Sequence, residues 1–153
     1  MTWQVMDGRG PSAYKRRIAS KGCAMRFVVP VVLVTVAVVH ALPLVGVLGA
    51  DTLTRLYGSP VKDASLELLL RHRAVLFGLL AAFMGYAATQ PDLHRLALLA
   101  GLVSVVSFLV LAWLSHASAA SALSAELTTV VRVDAAALVL LVVALALHLR
   151  TPN

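Results

Sequence analysis

The chain has 153 residues, of which 60% are hydrophobic and only 13% are charged. Soluble domains are about half apolar and about a quarter charged, so this composition leaves too little polar surface for a water-soluble globule. The net charge of +6 comes without groove-reading or stacking elements, which excludes a nucleic-acid-binding module. The single cysteine, Cys23, excludes an intrachain disulfide and a cysteine-based metal site. An integral membrane protein is the class that remains.

The first 26 residues form a polar tail with a basic run, Lys15-Arg16-Arg17. We predict that this tail is disordered or lies on the lipid surface, where anionic headgroups are its partner. The apolar run that follows is longer than the core of a cleavable signal peptide, so a membrane anchor is expected. Met25 stands directly before Arg26 and this run, and it is an alternative translation start.

Four apolar segments follow the tail, each long enough to cross about 30 Å of hydrocarbon as a helix. They are rich in Leu, Val and Ala and lack the alternation of barrel strands. The connections between them are short, except for a predicted loop over residues 51–65. The sequence therefore predicts one all-α domain over 27–149, an up-down four-helix bundle in the membrane. Its predicted spans are 27–48, 66–88, 93–114 and 127–149.

Lys and Arg residues predict how the bundle is oriented. With the tail included, they are more numerous on the side that holds both chain ends. The positive-inside rule then places the N-terminus and the C-terminus in the cytoplasm. If translation starts at Met25, this bias is largely lost.

Ionisable residues interrupt these apolar segments, although a charge in lipid is costly unless it is paired, solvated or able to reach headgroups. Most of them stand near the starts of the second and fourth spans, which an up-down bundle brings to the same membrane face. The candidates for a ligand site or an ion network are His40, Glu67, Arg71, His72, Arg73, Arg132 and Asp134.

Helical spacing limits what these charges can do. Glu67 and Arg71 are four residues apart with the acid first, which predicts an ion pair along the helix. Residues two apart on a helix point about 200° apart, so Arg71 and Arg73 cannot both face the core, nor can Arg132 and Asp134. We expect the short Asp134 to face inward and to accept a hydrogen bond from Arg71 or Arg73.

Three interpretations of these charges stay open. The first is a set of structural clamps and interfacial anchors. The second is a site in which Arg71 and Arg132 bind an anionic headgroup, a quinone or a small acid. The third is a proton path through Glu67, His72 and Asp134.

The histidines give no metal motif, because no two have the i,i+3 or i,i+4 spacing of a helical metal site. No metal or cofactor is predicted. His40 precedes Pro43, which can kink the first span. A core histidine bonded to a neighbouring helix is the simpler interpretation of His40, and ligand contact is the alternative. His94, His116 and His148 stand at helix ends and are predicted to lie at the membrane interface.

Small and hydroxylated residues indicate close contacts between helices. Ser104 and Ser107 are predicted to form hydrogen bonds between helices. The small-residue patterns predicted to pack the second span against the third are Gly78-x3-Ala82, Ala81-x3-Gly85 and Ala97-x3-Gly101. No phosphate-binding loop, dinucleotide fingerprint, nucleophile elbow or HExxH motif is present in the sequence.

Three stretches carry a family resemblance: ALPLVGVLGA at 41–50, LYG at 56–58 and LRHRAVLFG at 70–78. They resemble a group of small bacterial four-helix membrane proteins that are loosely DoxX-like. The resemblance covers about residues 26–149, and RHRAVLFG is its most specific part. It implies the four-helix fold and no established chemistry, and it favours Met25 as the start.

Some members of that group bear the name phosphopantetheine adenylyltransferase. That name denotes a soluble nucleotidyltransferase with a TxGH-type phosphate-binding motif. This sequence has neither the motif nor an α/β pattern, so the activity is not expected here.

The expected function is that of a non-catalytic membrane protein or an accessory subunit. A small redox-linked, lipid-binding or quinone-binding membrane enzyme is the alternative, and an oligomeric small-solute transporter is a third. The expected partners are the lipid bilayer and a second copy or another membrane subunit.

Overall fold

A computed structural model of the protein describes residues 27–118 and 124–150, with side chains resolved to residue 115 in the first range. Within these ranges the chain is helical and contains no strand. The predictions of a disordered or lipid-bound tail over 1–26 and of a start at Met25 lie outside the described residues.

The described residues form five α-helices and two short 3₁₀ segments. In chain order they are α1 (27–41), a 3₁₀ helix over Leu42–Leu48, α2 (Ala50–Tyr57), α3 (Ala64–Ala87), a 3₁₀ turn over Pro91–Leu93, α4 (His94–Ser118) and α5 (Ala125–Arg150). Four stretches are long and apolar enough to cross a membrane, and they agree closely with the predicted spans. They are Phe27–Leu48, Ala64–Ala87, Pro91–Ser115 and Ala125–Arg150.

The core is shared by α1, α3, α4 and α5. Its largest fully buried side chains are Leu33, Val36, Met84, Leu98, Val105 and Leu141. Many other large apolar side chains on the same four helices point outward, among them Val31, Leu79, Val103 and Val139. A soluble protein rarely exposes so much apolar surface, whereas a surface that faces lipid requires it.

The short helix α2 corrects the prediction of a loop over residues 51–65. Its apolar residues Leu53, Leu56 and Tyr57 recur three and four apart, so they share one face, and Leu53 is fully buried. Helix α2 is too short and too polar to span a membrane. Gly58 follows its last residue and has a left-handed backbone (φ 66°), which suits glycine.

At Pro43 the first span changes from an α-helix to a 3₁₀ helix. This change stands where the sequence predicted a kink. Proline lacks the N–H that an α-helix would donate to the carbonyl of Val39, four residues earlier. The 3₁₀ helix packs on α3, where Gly78 makes room for it. A Cβ atom at Gly78 would lie only 2.7 Å from Leu44 Cδ1.

This contact overturns the prediction that Gly78 packs the second span against the third, because its neighbour is the end of the first span. Gly85 also has open space around it, with nothing within 4 Å of a Cβ built there. The pattern of Ala97 and Gly101 is used for close packing. A Cβ at Gly101 would lie 3.3 Å from both Met84 on α3 and Leu141 on α5.

Helix α2 is tied to the first turn of α5, and this junction closes one end of the molecule. Ser124 Oγ donates a hydrogen bond to the Tyr57 carbonyl (3.1 Å) and accepts one from the Leu127 N–H (3.2 Å). The Glu126 carboxylate lies so close to Gly58 that a Cβ there would collide with it. The same junction places Tyr57 above the space between α1, α3 and α5.

Candidate functional site

A cavity of about 220 Å³ lies where α1 turns into the 3₁₀ helix, and α2, α3 and α5 complete its walls. At about 30 Å³ per molecule it has room for roughly seven waters. Most of the lining is apolar. The polar side chains in the lining are His40, Tyr57, Arg73, Thr129 and Asp134.

His40 is buried, with 3% of its surface exposed, and both of its ring nitrogens have protein partners. Nδ1 lies 2.9 Å from the Val36 carbonyl, which can only accept, so Nδ1 donates. Nε2 lies 3.3 Å from the Ser104 hydroxyl on α4, and in the neutral ring it accepts from that hydroxyl. The structure therefore agrees with a core histidine bonded to a neighbouring helix, and it also places this histidine in the cavity wall.

Arg73 lies between three aromatic rings that come from three different helices. Its guanidinium carbon is 5.1 Å from the ring centroid of Phe77, 5.5 Å from that of Phe108 and 5.9 Å from that of Tyr57. Each ring face attracts the cation through its quadrupole. The half-buried Arg73 is thus held by ring faces and lines the cavity.

Arg71 takes the opposite side of α3. It is exposed, and its Nη1 pairs with Glu67 Oε1 at 3.4 Å, which confirms the predicted ion pair along the helix. His72 is exposed as well, and on α5 so is Arg132. Neither Arg71 nor Arg132 lines the cavity, so a ligand site formed by these two arginines stays a prediction. The proton path through Glu67, His72 and Asp134 also stays a prediction, since only Asp134 of the three lines the cavity.

Asp134 is half-buried on α5 and faces the cavity, as expected from its short side chain. Its electrostatic neighbours are His40 and Arg73. Among the described residues, the ion pair within 4.0 Å is that of Glu67 with Arg71. The predicted hydrogen bond to Asp134 from Arg71 or Arg73 is therefore absent, and Arg73 and Asp134 line the cavity without touching.

A wider groove of about 600 Å³ adjoins the cavity and shares Arg73 and Phe77 with it. The groove runs between α3 and α4 and reaches the start of α5 at Leu127. Apolar side chains form most of its surface. Ser107 also lines it, and its hydroxyl donates to the Ser104 carbonyl of the same helix (2.8 Å), which corrects the prediction of an interhelical bond at Ser107.

A second polar cluster lies where the end of α3, the start of α4 and the end of α5 come together. His94 is the first residue of α4, and it is buried with 8% of its surface exposed, while its predicted place at the membrane interface stays a prediction. Its ring meets that of His148 edge to face at 6.2 Å, and its Nε2 lies 3.5 Å from the Ala88 carbonyl. The side chain of His116 lies outside the described residues.

No three His, Cys, Asp or Glu side chains converge in the part of the chain that the structure describes, so no metal-binding cluster is found there. The Ser104–His40 contact differs from a Ser-His-Asp triad, because the Val36 carbonyl and not a carboxylate orients the ring through Nδ1. Arg73 brings hydrogen-bond donors to the cavity, and Asp134 brings an acceptor.

Sequence reasoning missed two members of this site, Tyr57 and Thr129. Tyr57 falls in the segment taken for a loop. Its spacing from Leu53 on one helical face is the signal that could have placed it inward. Thr129 offered no signal, because a threonine in the first turns of a span is ordinary.

Comparisons with protein-family models, with curated proteins and with solved structures find no match for this chain. The DoxX-like resemblance therefore stays a prediction. What the fold and the cavity define is a class: a helical protein with four helices of membrane-spanning length and composition and a charged cavity among them.

Proposed function

We propose that this protein is a multi-pass, DoxX-like protein of the bacterial inner membrane that binds a small amphipathic molecule without transforming it. Its four spans form an up-down bundle with both termini in the cytoplasm. The observation that carries the proposal is a cavity lined by both Arg73 and Asp134, which form no ion pair with each other. A second copy or a partner subunit would receive the bound molecule.

Binding is favoured over a purely structural clamp because of how the charges are arranged. A clamp joins its charges directly, as Glu67 and Arg71 do on the surface. Arg73 and Asp134 instead face one cavity without contact, and charges withdrawn from water are costly unless something compensates them. A ligand group that accepts from Arg73 and donates to Asp134 would supply that compensation.

Binding without chemistry is favoured by the state of His40. Both ring nitrogens are engaged, by the Val36 carbonyl and by the Ser104 hydroxyl. Through Nε2 the ring joins α1 to α4, and through Nδ1 it is held to its own helix. We therefore assign His40 to the support of the cavity wall.

The test is to purify the full chain under mild conditions and to identify co-purified small molecules by mass spectrometry. We expect the wild type and an Arg132→Gln control to retain a molecule that Arg73→Gln and Asp134→Asn lose. Arg132 is a matched control because it is exposed on the same helix as Asp134. Retention of the same molecules by all four proteins at equal levels would overturn the proposal.

The orientation needs its own test, a reporter fused to the C-terminus. Activity of a cytoplasmic reporter supports the proposed topology, with both chain ends inside. Activity of a reporter that works only after export would reverse the topology without affecting the cavity.

A small redox-linked enzyme with a bound quinone is the second candidate. The rings of Tyr57, Phe77 and Phe108 around Arg73 favour it, since flat ligands stack on such surfaces. A co-purified quinone that is reduced by an added donor at a rate lowered by Arg73→Gln would favour this candidate over simple binding.

A further inference from the structure

We infer that the ligand is a zwitterionic phospholipid with a primary ammonium group, of the phosphatidylethanolamine class. Its phosphate binds Arg73, its ammonium group binds Asp134, and one acyl chain occupies the groove between α3 and α4. This inference rests on the proposed binding function and specifies the ligand of the same site.

The charges of the cavity favour a ligand that carries both signs. The formal charges of Arg73 and Asp134 cancel, and both side chains line one cavity without touching. An anionic headgroup would satisfy Arg73 but would place a second negative charge near Asp134. A simple cation would do the reverse, so only a group with separated charges satisfies both walls.

Arg73 contacts aromatic rings and has no hydrogen bond to another described residue, so its N–H groups are available to a phosphate. The rings of Phe77, Phe108 and Tyr57 engage the guanidinium through their faces, at 5.1–5.9 Å from its carbon. A planar guanidinium donates in its plane, and that planar fork matches the oxygens of a phosphate. Held by rings on several sides, Arg73 keeps one orientation and loses little freedom on binding.

Asp134 suits an ammonium group. Its carboxylate supplies an acceptor to the same cavity. A primary ammonium group carries the N–H donors that this acceptor needs. The volume of about 220 Å³, room for roughly seven waters, accommodates a phosphate with a short amino-alcohol arm.

The groove identifies the ligand as a lipid and not as a free headgroup. It adjoins the cavity through Arg73 and Phe77, and its other lining residues are mostly apolar. Arg73 and Asp134 each lie nine residues, or about 13.5 Å, from the start of their helices, so the bound headgroup would lie well inside the bundle. A lipid reaches that depth sideways along the groove, with its chain remaining in apolar surroundings.

The experiment reconstitutes the full chain in nanodiscs with equal amounts of phosphatidylethanolamine, phosphatidylglycerol and phosphatidylcholine. Lipids retained after delipidation are counted by native mass spectrometry. We expect the wild type to retain phosphatidylethanolamine about tenfold over either competitor, the difference made by one good charged contact. The ratio is read within each sample, so a loss of yield does not imitate a loss of selectivity.

Two variants should change the ratio in different ways. Asp134→Asn leaves the cavity with a net positive charge, so its preference should shift to phosphatidylglycerol. Arg73→Gln should lose retention of all three lipids. Asp51→Asn and Arg132→Gln alter exposed charges on α2 and α5, so they should keep the wild-type ratio.

The remaining outcomes separate this inference from the function on which it rests. If the wild type retains the three lipids equally while Arg73→Gln and Asp134→Asn lose them, the zwitterion is wrong and the binding function stands. If soluble glycerophosphoethanolamine displaces the lipid at equal concentration, the role of the groove is wrong. If neither variant loses any bound molecule, both proposals fail.

Discussion

Arg71 and Arg73 are two residues apart on α3, yet they occupy opposite environments. Arg71 is exposed and pairs with Glu67, one turn before it on the same helix. Arg73 turns inward, where rings from α2, α3 and α4 surround it and Asp134 lines the same cavity. About 200° of helical rotation separates them. The comparison teaches that the helical face, more than the residue type, decides whether a charged side chain is exposed on the surface or lines a cavity.

The largest expected difference in unfolding free energy is between a buried histidine, His40, and an exposed one, His72. His40→Ala removes a buried ring, leaves the Ser104 hydroxyl without its partner and should lower the free energy of unfolding by about 2–4 kcal/mol. His72→Ala, on the exposed face, should change it by less than about 0.5 kcal/mol. Denaturant titration in detergent micelles measures both. Equal losses would show that the inward and outward faces of α3 and its neighbours do not differ as described.

The arginine pair gives an intermediate effect. Arg73→Gln removes the cation from three rings and from the neighbourhood of Asp134, which should cost about 1–3 kcal/mol of unfolding free energy. Arg71→Gln should cost less than about 0.5 kcal/mol, because exposed ion pairs contribute little. The same titration checks this difference. A larger loss for Arg71→Gln than for Arg73→Gln would reverse the assignment of the two arginines.

The smallest expected effect is the coupling energy of the exposed ion pair between Glu67 and Arg71. The Glu67 and Arg71 side chains are 31% and 47% exposed, so solvent screens their attraction. A double-mutant cycle of Glu67→Gln and Arg71→Gln should give a coupling energy of about 0.3–0.5 kcal/mol. The coupling should vanish near 1 M salt, where the Debye length is about 3 Å. A coupling that persists in high salt would mean that the pair is shielded from solvent.

The Glu67–Arg71 pair was predictable because it depends on local geometry alone. Acid and base four residues apart meet on any helix. The inward position of Asp134 was predictable in part, since a short carboxylate far into an apolar span cannot reach headgroups. The choice between Arg71 and Arg73 was not predictable. It depends on how α3 is rotated against α2 and α4, which bring Tyr57 and Phe108 to the guanidinium.

Two other positions show the same limit. Gly78 belongs to a small-residue pattern, but the pattern does not say which segment approaches it. The 3₁₀ helix after Pro43 does so, through Leu44. His94 stands at a helix end, yet the packing of α4 against α5 buries it beside His148. In both cases the partner is distant in sequence.

The sequence by itself determined the class of this protein and the placement of its four long helices. The hydropathy of a segment of about twenty residues and the length of a connection depend only on local sequence. Both can therefore be read without any knowledge of packing. Only the tertiary structure decided which charges form a site. The cavity of His40, Arg73 and Asp134 exists because segments far apart in the chain are rotated toward one another, and no spacing within a single helix encodes that rotation.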